Sequence, residues 1–255
     1  MATLQIQNLT HYFGGLCALS GLNISVEERE LFGLIGPNGA GKTTVFNLVS
    51  GFYHPTEGAI LFQGRDTRGL KPHQVTALGV ARTFQNIRLW KEMTVLDNIR
   101  ISQHHRLGYG LLDTVLRTKR YSRRERELED YARELLDVMK LTDVAGELPK
   151  NLPYGLQRKV ELARAMSVQP KLLLLDEPAA GLNSSDVEEL IRLVQWIHKE
   201  FEITIWMIEH HMDVVMKLCS HITVIDFGET IAAGTPAEIQ NNPAVIEAYL
   251  GNAEI

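Results

Sequence analysis

The sequence predicts an α/β fold in which helices cover both faces of a parallel sheet. Continuous apolar runs at Leu172–Leu175 and Ile203–Ile208 are typical of parallel strands that are buried on both sides. Between these runs, five apolar side chains recur at helical spacing: Val187, Leu190, Ile191, Val194 and Ile197. A strand, a helix and a second strand in this order indicate a parallel sheet with crossover helices.

The amino-terminal region is predicted to be rich in strands. Residues 4–7 alternate apolar and polar side chains, as a half-exposed strand does, and Leu31–Ile35 is a short apolar run that ends before a glycine. Residues 59–64 form a further strand candidate, with glycines as turn residues on either side.

The middle of the chain is predicted to be helical from about residue 86 to residue 157. Within it, residues 121–140 place four apolar side chains on one face and charges on the other: Leu128, Ala132, Leu135 and Met139. Further along, Ser185 and Glu188 have the spacing of a capping box, which predicts a helix start at Ser185.

Composition limits the possible classes of protein. The 255 residues suit one or two domains, and 45% apolar with 22% charged residues is ordinary for a globular chain. The net charge of -5 argues against a dedicated nucleic-acid binder. Cys17 and Cys219 are too far apart in sequence to suggest a zinc site, which favours a reduced, cytoplasmic setting.

Two further absences in the sequence bear on location. No apolar run reaches the length of a membrane-spanning helix, and the first ten residues do not have the pattern of a secretion signal. We therefore expect that work at a membrane would need a partner that spans it.

The most specific motif is a glycine-rich turn that fits the pattern GxxxxGK[ST]. It consists of Gly36, Pro37, Asn38, Gly39, Ala40, Gly41, Lys42 and Thr43, and it lies between an apolar strand and a helical stretch. Successive backbone N–H groups and a helix N-terminus bind phosphate in this context. We expect Lys42 to contact the β- and γ-phosphates of a nucleotide, and Thr43 to bind Mg²⁺. Side chains at the three glycines would crowd the phosphates.

A second motif, LLLLDEP, ends an apolar strand with Asp176 and Glu177. The carboxyl ends of strands are where α/β sheets place their sites. Asp176 is expected to hold Mg²⁺ through water, and Glu177 to orient or polarise an attacking water as the base.

In the order and spacing of its motifs, the sequence resembles the ATP-binding cassette (ABC) family. Phe13, about 30 residues before Lys42, matches the aromatic residue that stacks on adenine, and Gln85 in ARTFQN matches the Mg²⁺-sensing glutamine. Asn151–Arg158 ends 18 residues before Asp176, where the family has its LSGGQ signature. Residues 180–183 match the D-loop, and His210 in MIEHH matches the switch histidine. Three other histidines lack such support and are interpreted as surface residues: His104, His105 and His211.

The resemblance implies roles for these residues. ATP would be bound by Phe13, Gly36, Pro37, Asn38, Gly39, Ala40, Gly41, Lys42, Thr43 and Thr44. The catalytic residues would be Lys42, Gln85, Glu177 and His210. Mg²⁺ would be bound by Thr43, Gln85 and Asp176. The ATP held by one subunit would also be contacted by five residues of a second subunit: Pro153, Tyr154, Gly155, Leu156 and Asn183.

The resemblance also implies the architecture. We expect a single ABC-type ATPase domain over residues 1–255, with a P-loop NTPase (RecA-like) core and antiparallel β subdomain in 1–85 and 158–255. Residues 86–157 would form an inserted α-helical subdomain that carries the signature.

Further strings narrow the resemblance to the LivG-type ATPase subunits of branched-chain amino acid uptake systems. They are TPAEIQNNPAVIEAYLG at the carboxyl end, EHHM, DEPAAGLN and an insertion around residues 101–125. In that family, two ATPase subunits pair head to tail beneath two integral membrane permease subunits, and a binding protein delivers leucine, isoleucine or valine. The resemblance implies a peripheral protein at the cytoplasmic face of the inner membrane, with no nucleic-acid partner.

The signature departs from the family pattern. Pro153 replaces the serine whose hydroxyl donates to the γ-phosphate, and Leu156 replaces the glutamine. Gly155 and a helix N-terminus remain, so anion binding by the backbone is retained. We expect weaker closure around ATP than a serine would give. Asn183 replaces the D-loop aspartate and keeps hydrogen bonding without the charge.

Several other functions fit parts of the sequence. They are an ABC ATPase for amides or for lipid and lipopolysaccharide export, a soluble ABC ATPase of repair or translation, a P-loop kinase and a non-hydrolysing nucleotide sensor. The soluble ATPases usually carry two cassettes or a long coiled coil, and a kinase leaves His210 unexplained. The transported substrate, its direction and the choice between a homodimer and a heterodimer stay open.

Overall fold

A computed structural model describes residues 2–106 and 108–250, without the side chains of His105, Arg106 and Leu250. The domain predicted over 1–255 also includes Met1, Leu107 and residues 251–255, which lie outside the described residues, as does the surface position predicted for His105. Within the described residues, no helix is both long and apolar enough to cross a membrane.

Contacts between Cα atoms divide the chain into two compact units. The first unit combines Met1–Gln85 with Lys171–Ile255, and the second is Asn86–Pro170. The division expected from the sequence has the same first boundary and sets the second one at residue 157. That position falls inside the continuous helix Tyr154–Met166, which belongs as a whole to the second unit.

The first unit contains ten strands and six helices among its described residues. Its first segment forms β1 (Ala2–Phe13), β2 (Leu16–Glu27), β3 (Leu31–Ile35), α1 (Lys42–Val49), β4 (Glu57–Phe62), β5 (Arg65–Asp66), α2 (Pro72–Leu78) and β6 (Val80–Arg82). Its second segment forms β7 (Leu172–Asp176), α7 (Ser184–Phe201), β8 (Thr204–Ile208), α8 (Met212–Leu218), β9 (His221–Asp226), β10 (Glu229–Gly234), α9 (Pro236–Gln240) and α10 (Pro243–Leu250). The second unit contributes α3 (Val95–Ser102), α4 (Leu111–Val115), α5 (Lys119–Val138) and α6 (Tyr154–Met166).

Two sheets organise the first unit. A six-stranded sheet has the order β10-β9-β3-β8-β7-β6, in which only the β9–β10 pair is antiparallel. A four-stranded antiparallel sheet has the order β2-β1-β4-β5. The parallel sheet and the α/β class predicted from the apolar runs are therefore confirmed.

The core of the first unit is formed by apolar side chains from both sheets and α1. Trp206 on β8 is fully buried and contacts the rings of Phe32 and Phe46 edge-on, with centroids 5.9 and 5.1 Å apart. Because Phe46 lies on α1, this packing fixes the helix that follows the glycine-rich turn against the sheet.

The second unit packs α3 against α5 and α6. The helical face predicted for residues 121–140 is confirmed, since Leu128, Ala132, Leu135 and Met139 are all buried.

The predicted helix start at Ser185 is wrong. α7 begins at Ser184, and Asn183 is its N-cap, with a side-chain oxygen that accepts a hydrogen bond from the Asp186 N–H at 3.0 Å. Asparagine and serine cap helices about equally well, so the backbone conformation decides which of these residues is the N-cap. Asn183 has the extended conformation that an N-cap needs.

The sheet brings distant parts of the sequence to one edge. Strands β3, β6, β7 and β8 are parallel neighbours, so they all end at the same side of the sheet. The glycine-rich turn, Gln85, Glu177 and His210 follow these four strands. This edge is where open α/β sheets bind ligands.

Candidate functional site

The glycine-rich turn connects β3 to α1 and forms a concave loop of backbone. Gly41 is the N-cap of α1 in a left-handed conformation, and its carbonyl accepts the Val45 N–H at 3.0 Å. Because the helix begins directly at Lys42, its first N–H groups are available to an anion.

Two glycines of the turn are required by their protein neighbours. A Cβ atom on Gly36 would lie 2.0 Å from the carbonyl oxygen of Ile225, and one on Gly41 would lie 2.9 Å from that of Ala18. Both positions also have positive φ angles, of 153° and 102°. The sequence suggested that side chains here would crowd the phosphates. At these two glycines a side chain would instead clash with the backbone of β2 and β9.

Lys42 places a buried cation at the centre of the loop. Its ammonium donates hydrogen bonds of 2.7 Å to the carbonyl oxygens of both Gly36 and Pro37, and only 5% of the residue is exposed. Burial lowers the pKa of Lys42, and the nearby Glu177 carboxylate opposes that shift.

A pocket of about 210 Å³ opens over the turn. It is lined by Asn38, Gly39, Gly41, Lys42, Thr43, Thr44, Glu177 and His210. Gly36, Pro37 and Ala40 are buried beneath the loop, so they shape it from behind. The pocket therefore combines phosphate-binding backbone and a lysine with a carboxylate and an imidazole.

Glu177 is the centre of a hydrogen-bonded group at the mouth of this pocket. Its Oε2 accepts a hydrogen bond from the Gln85 amide at 2.5 Å, and its Oε1 lies 2.6 Å from His210 Nε2. Three residues predicted as catalytic thus lie together, although they follow three different strands. The carboxylate is held at both oxygens, which fixes its direction.

The backbone of Glu177 has an uncommon conformation. Its φ angle is 46°, in the left-handed region, and its N–H donates to the Ile208 carbonyl at 2.9 Å. Non-glycine residues in this region carry strain, and such positions cluster at functional sites. The turn directs the Glu177 side chain toward the pocket, away from the buried Asp176.

Asp176 is held by a cation that the sequence analysis did not identify. Arg82 at the end of β6 donates to its carboxylate at 2.7 Å, and both side chains are almost fully buried. The same guanidinium donates to the side chain of Asn47 on α1 at 2.8 Å. A charged residue that ends a buried strand was the available signal, in the same ARTFQN string that supplied Gln85.

Glu209 is a second residue that the sequence analysis missed. It is 1% exposed, and its carboxylate accepts hydrogen bonds from the backbone N–H groups of Ala179 at 2.7 Å, His210 at 2.8 Å and His211 at 3.0 Å. It therefore joins the loop after β7 to the loop after β8. The signal was a carboxylate directly after an apolar run, adjacent to the histidine.

The histidines that match no family motif were interpreted as surface residues. His104 and His211 are exposed. The ring of His211 nevertheless has a partner, because its Nδ1 lies 3.1 Å from the Glu209 carboxylate.

The residues predicted to hold Mg²⁺ offer the ligands that this ion prefers. A hydroxyl on Thr43, an amide on Gln85 and a carboxylate on Asp176 are oxygen donors, and Mg²⁺ binds oxygen together with substrate phosphates. Asp176 is 5% exposed, so only a small part of its surface faces the site. Among the residues that the structure describes, no three His, Cys, Asp or Glu side chains cluster as a protein-only metal site.

Phe13 lies at the end of β1 in a small aromatic group. Its ring contacts His11 and Tyr53 edge-on, with centroids 4.6 and 5.4 Å apart, and 44% of the residue is exposed. The hairpin that carries it continues into Ala18 and Leu19, which pack on Gly41. An exposed aromatic face is thus available near the loop, and Tyr53 was not anticipated from the sequence.

The signature-like segment forms the start of α6 in the second unit. Pro153 is the exposed N-cap and provides no side-chain hydrogen bond, and Tyr154 is 42% exposed. Gln157 is engaged locally, since its amide donates to the Leu152 carbonyl at 2.8 Å. The helix start therefore offers backbone N–H groups without a capping side chain.

Comparison with known proteins agrees with the family indicated by the motifs. A family model described as ABC transporter matches residues 19–180. A second, described as Branched-chain amino acid ATP-binding cassette transporter, matches residues 229–255.

Curated relatives and solved structures agree with these matches. The chain is 46% identical over 250 residues to the high-affinity branched-chain amino acid transport ATP-binding protein BraF of Pseudomonas aeruginosa, covering 98% of each chain. It is 45% identical over 250 residues to LivG of Escherichia coli, with the same coverage. A solved nucleotide-free ATP-binding cassette from an ABC transporter has a TM-score of 0.85 and 33% identity, covering 98% of this chain and 99% of that one.

Proposed function

This chain belongs to the ABC transporter family, and we propose that it is the ATP-hydrolysing subunit of an importer of branched-chain amino acids. The observation that carries the enzymatic part is the Glu177 carboxylate, which Gln85 and His210 hold at the mouth of the glycine-rich loop. The observation that carries the substrate is the match of residues 229–255 to a branched-chain amino acid family, together with the two named relatives.

We propose that the nucleotide binds with its phosphates on residues 36–44 and its adenine against Phe13. The N–H groups of the loop and the start of α1 would bind phosphate oxygens, and Lys42 would add a buried positive charge. Phosphoryl transfer needs little covalent chemistry, so positioning and charge neutralisation dominate.

Thr43, Gln85 and Asp176 would hold Mg²⁺, which supplies neutralisation of phosphate charge when it is bound. Glu177 would orient the attacking water as the base. His210 lies against the other side of the same carboxylate, where it would position Glu177 and contact the γ-phosphate.

The remaining partners are part of the same proposal. Pro153, Tyr154, Gly155, Leu156 and Asn183 of one copy would contact ATP held by a second ATPase subunit. The pair would dock on integral membrane permease subunits, which receive substrate from a binding protein. The chain would then be a peripheral protein at the cytoplasmic face of the membrane.

Glu177→Gln tests the assignment most directly. The substitution keeps the size of the side chain and removes the base, so we expect ATP binding to persist and ATP turnover to fall at least about a hundredfold. Glu188→Gln on the exposed face of α7 is the matched control and should leave turnover unchanged. Turnover should rise when the membrane subunits are present.

Two outcomes would contradict the proposal. Near-normal turnover of Glu177→Gln would remove Glu177 from this role. Binding of ATP without hydrolysis in every combination of subunits would instead support a nucleotide sensor. Uptake of radiolabelled leucine and of a small amide by reconstituted vesicles would separate the proposed substrate from the amide alternative.

A further inference from the structure

The segment from Gly108 through the first two turns of α5 is strongly basic. Residues 108–126 carry six basic side chains and two acidic ones, which gives a formal charge of +4 in a chain whose net charge is -5. The basic side chains are Arg117, Lys119, Arg120, Arg123, Arg124 and Arg126. The rest of the chain therefore carries a formal charge of -9, so this short segment has a net positive charge in an otherwise acidic chain.

The same segment exposes an apolar helix face. Leu111, Leu112, Val115 and Leu116 are 80%, 77%, 71% and 72% exposed. At about 100° per residue these four side chains occupy one stripe of roughly 140° on α4 and its C-cap, and Asp113 and Thr114 lie outside it. No other four neighbouring residues in the described part of the chain combine large apolar side chains with such exposure.

Hydrogen bonds join the apolar helix to the basic one. Asp113 accepts a hydrogen bond from the Thr118 hydroxyl at 2.8 Å, and Thr118 caps the start of α5 through the Tyr121 N–H at 3.3 Å. On the preceding side, the Tyr109 hydroxyl donates to Glu125 at 2.5 Å. Both acidic residues of the segment are thus used to hold it together, while the apolar side chains point away from these contacts.

A shallow groove of about 490 Å³ begins directly after the apolar stripe. It is lined by the cations Arg117, Lys119, Arg123 and Arg126 and by the carboxylates Glu127 and Asp130, of which Glu127 lies 3.7 Å from Arg123. Several guanidinium and ammonium groups around one open groove are suited to phosphate oxygens.

We propose that residues 111–126 form a lipid-contact surface that binds an anionic bilayer. The four apolar side chains insert at the boundary between headgroups and acyl chains, and the basic side chains bind lipid phosphates. Charge complementarity favours a bilayer over a protein partner. A protein would have to supply an apolar pocket and a matching set of carboxylates, whereas an anionic bilayer presents an apolar interior and anionic phosphates across its whole surface.

The experiment is flotation of the full purified chain with vesicles, in the absence of ATP and membrane subunits. Vesicles of phosphatidylcholine alone are compared with vesicles that contain phosphatidylglycerol, at low and high salt. We expect binding to the anionic vesicles only, weakened by salt. Two double variants should each reduce it at least about tenfold: Leu112→Ser with Leu116→Ser, and Arg117→Gln with Lys119→Gln.

The matched control is Arg192→Gln with Lys199→Gln, which removes the same charge from the exposed face of α7 and should retain full binding. The circular dichroism of each variant establishes that it folds. ATP turnover should be unchanged in all of them, so a negative vesicle result would leave the ATPase assignment intact.

Three results would overturn the proposal. They are no binding of the unmodified chain to anionic vesicles, equal binding to neutral vesicles, and an equal loss of binding in the control variant. If vesicles are not bound but the variants lose association with the membrane subunits, the surface is a protein contact and the lipid proposal fails.

Discussion

At the scale of single residues, two consecutive carboxylates have opposite environments. Asp176 ends β7, is almost fully buried and pairs with Arg82. Glu177 turns into the pocket through a left-handed backbone and is held by Gln85 and His210. The change of direction between neighbouring residues lets one short segment serve two different purposes, a charged anchor in the core and a polar group at the mouth of the loop.

The first residue-level prediction concerns the buried pair of Arg82 and Asp176. Arg82→Met keeps much of the packing but leaves the Asp176 carboxylate buried without its cation. We expect the free energy of unfolding to fall by about 3–5 kcal/mol, as for other broken buried pairs. Urea unfolding measures this change.

Arg65→Met is the control for that measurement, because Arg65 is exposed on β5 and its loss should change the free energy by no more than about 0.5 kcal/mol. Combining Arg82→Met with Asp176→Asn should cost less than the sum of the two single changes. Equal losses for Arg82→Met and Arg65→Met would contradict the role given to the buried pair.

How much of the site could be predicted depended on how far apart its interacting residues lie in the sequence. The glycine-rich turn is contiguous, and its chemistry is carried by backbone and by one lysine, so its residues can be read directly. Arg82 and Asp176 are separated by 94 positions, and only the pairing of β6 with β7 brings them together. Glu209 was missed for a similar reason, because three of its partners are backbone N–H groups, whose positions carry no signal in the sequence.

At the scale of elements, the starts of three helices decide which groups the chain can offer to a nucleotide. α1 begins after a glycine turn with the buried Lys42, whereas α6 begins at Tyr154 after Pro153, an N-cap without a capping side chain. α7 begins at Ser184, and the side chain of its N-cap Asn183 is hydrogen-bonded to Asp186 in the first turn of the same helix. The misplaced start of α7 shows why caps are difficult to predict, since three consecutive residues could each serve as the N-cap: Asn183, Ser184 and Ser185.

The element-level prediction is that Pro153→Ser tightens the ATP-dependent dimer. A serine at this N-cap can accept a hydrogen bond from the first turn of α6 and donate its hydroxyl to a phosphate. A hydrogen bond to a charged group contributes about 1.5–3 kcal/mol, so we expect the dissociation constant to fall at least about tenfold. Sedimentation with ATP, in the Glu177→Gln background, measures it.

Pro153→Ala separates the hydroxyl from the loss of the proline ring. If alanine tightens the dimer as much as serine does, the hydroxyl is not the cause. No change with either substitution would count against a phosphate contact at this position.

At the scale of the whole molecule, the chain consists of two units of different character. The unit that combines the two ends of the sequence holds both sheets, the glycine-rich turn and its carboxylates. The unit from Asn86 to Pro170 is helical and carries the signature-like segment and the lipid-contact surface. The division that the family resemblance implies has the same first boundary, and its second boundary differs because α6 lies wholly in the second unit.

The whole-molecule prediction is that nucleotide raises the thermal transition of the first unit. A ligand at about a hundred times its dissociation constant stabilises the bound state by about 2.7 kcal/mol. For a unit of this size, that corresponds to a rise in Tm of about 5–10 °C. Differential scanning calorimetry with Mg²⁺ and a non-hydrolysable ATP analogue measures it.

Lys42→Met should abolish this rise, because it removes the buried cation from the loop and keeps the length of the side chain. Lys199→Met on α7 is the control and should retain the full rise. A similar rise in Lys42→Met and in the unmodified chain would show that the analogue binds elsewhere.

The position of β3 in the sheet has a consequence for how the chain is made. β3 lies between β8 and β9, so its neighbours in the sheet are residues 205–208 and 221–224. At about 5–20 residues per second, a ribosome needs roughly 10–40 s to add the approximately 190 residues between Ile35 and Val224. During that time the nascent chain already contains the complete phosphate-binding motif but has no sheet to hold it. An apolar strand that stays unpaired for so long is exposed to aggregation, and the nucleotide site can assemble only after β8 and β9 have been synthesised.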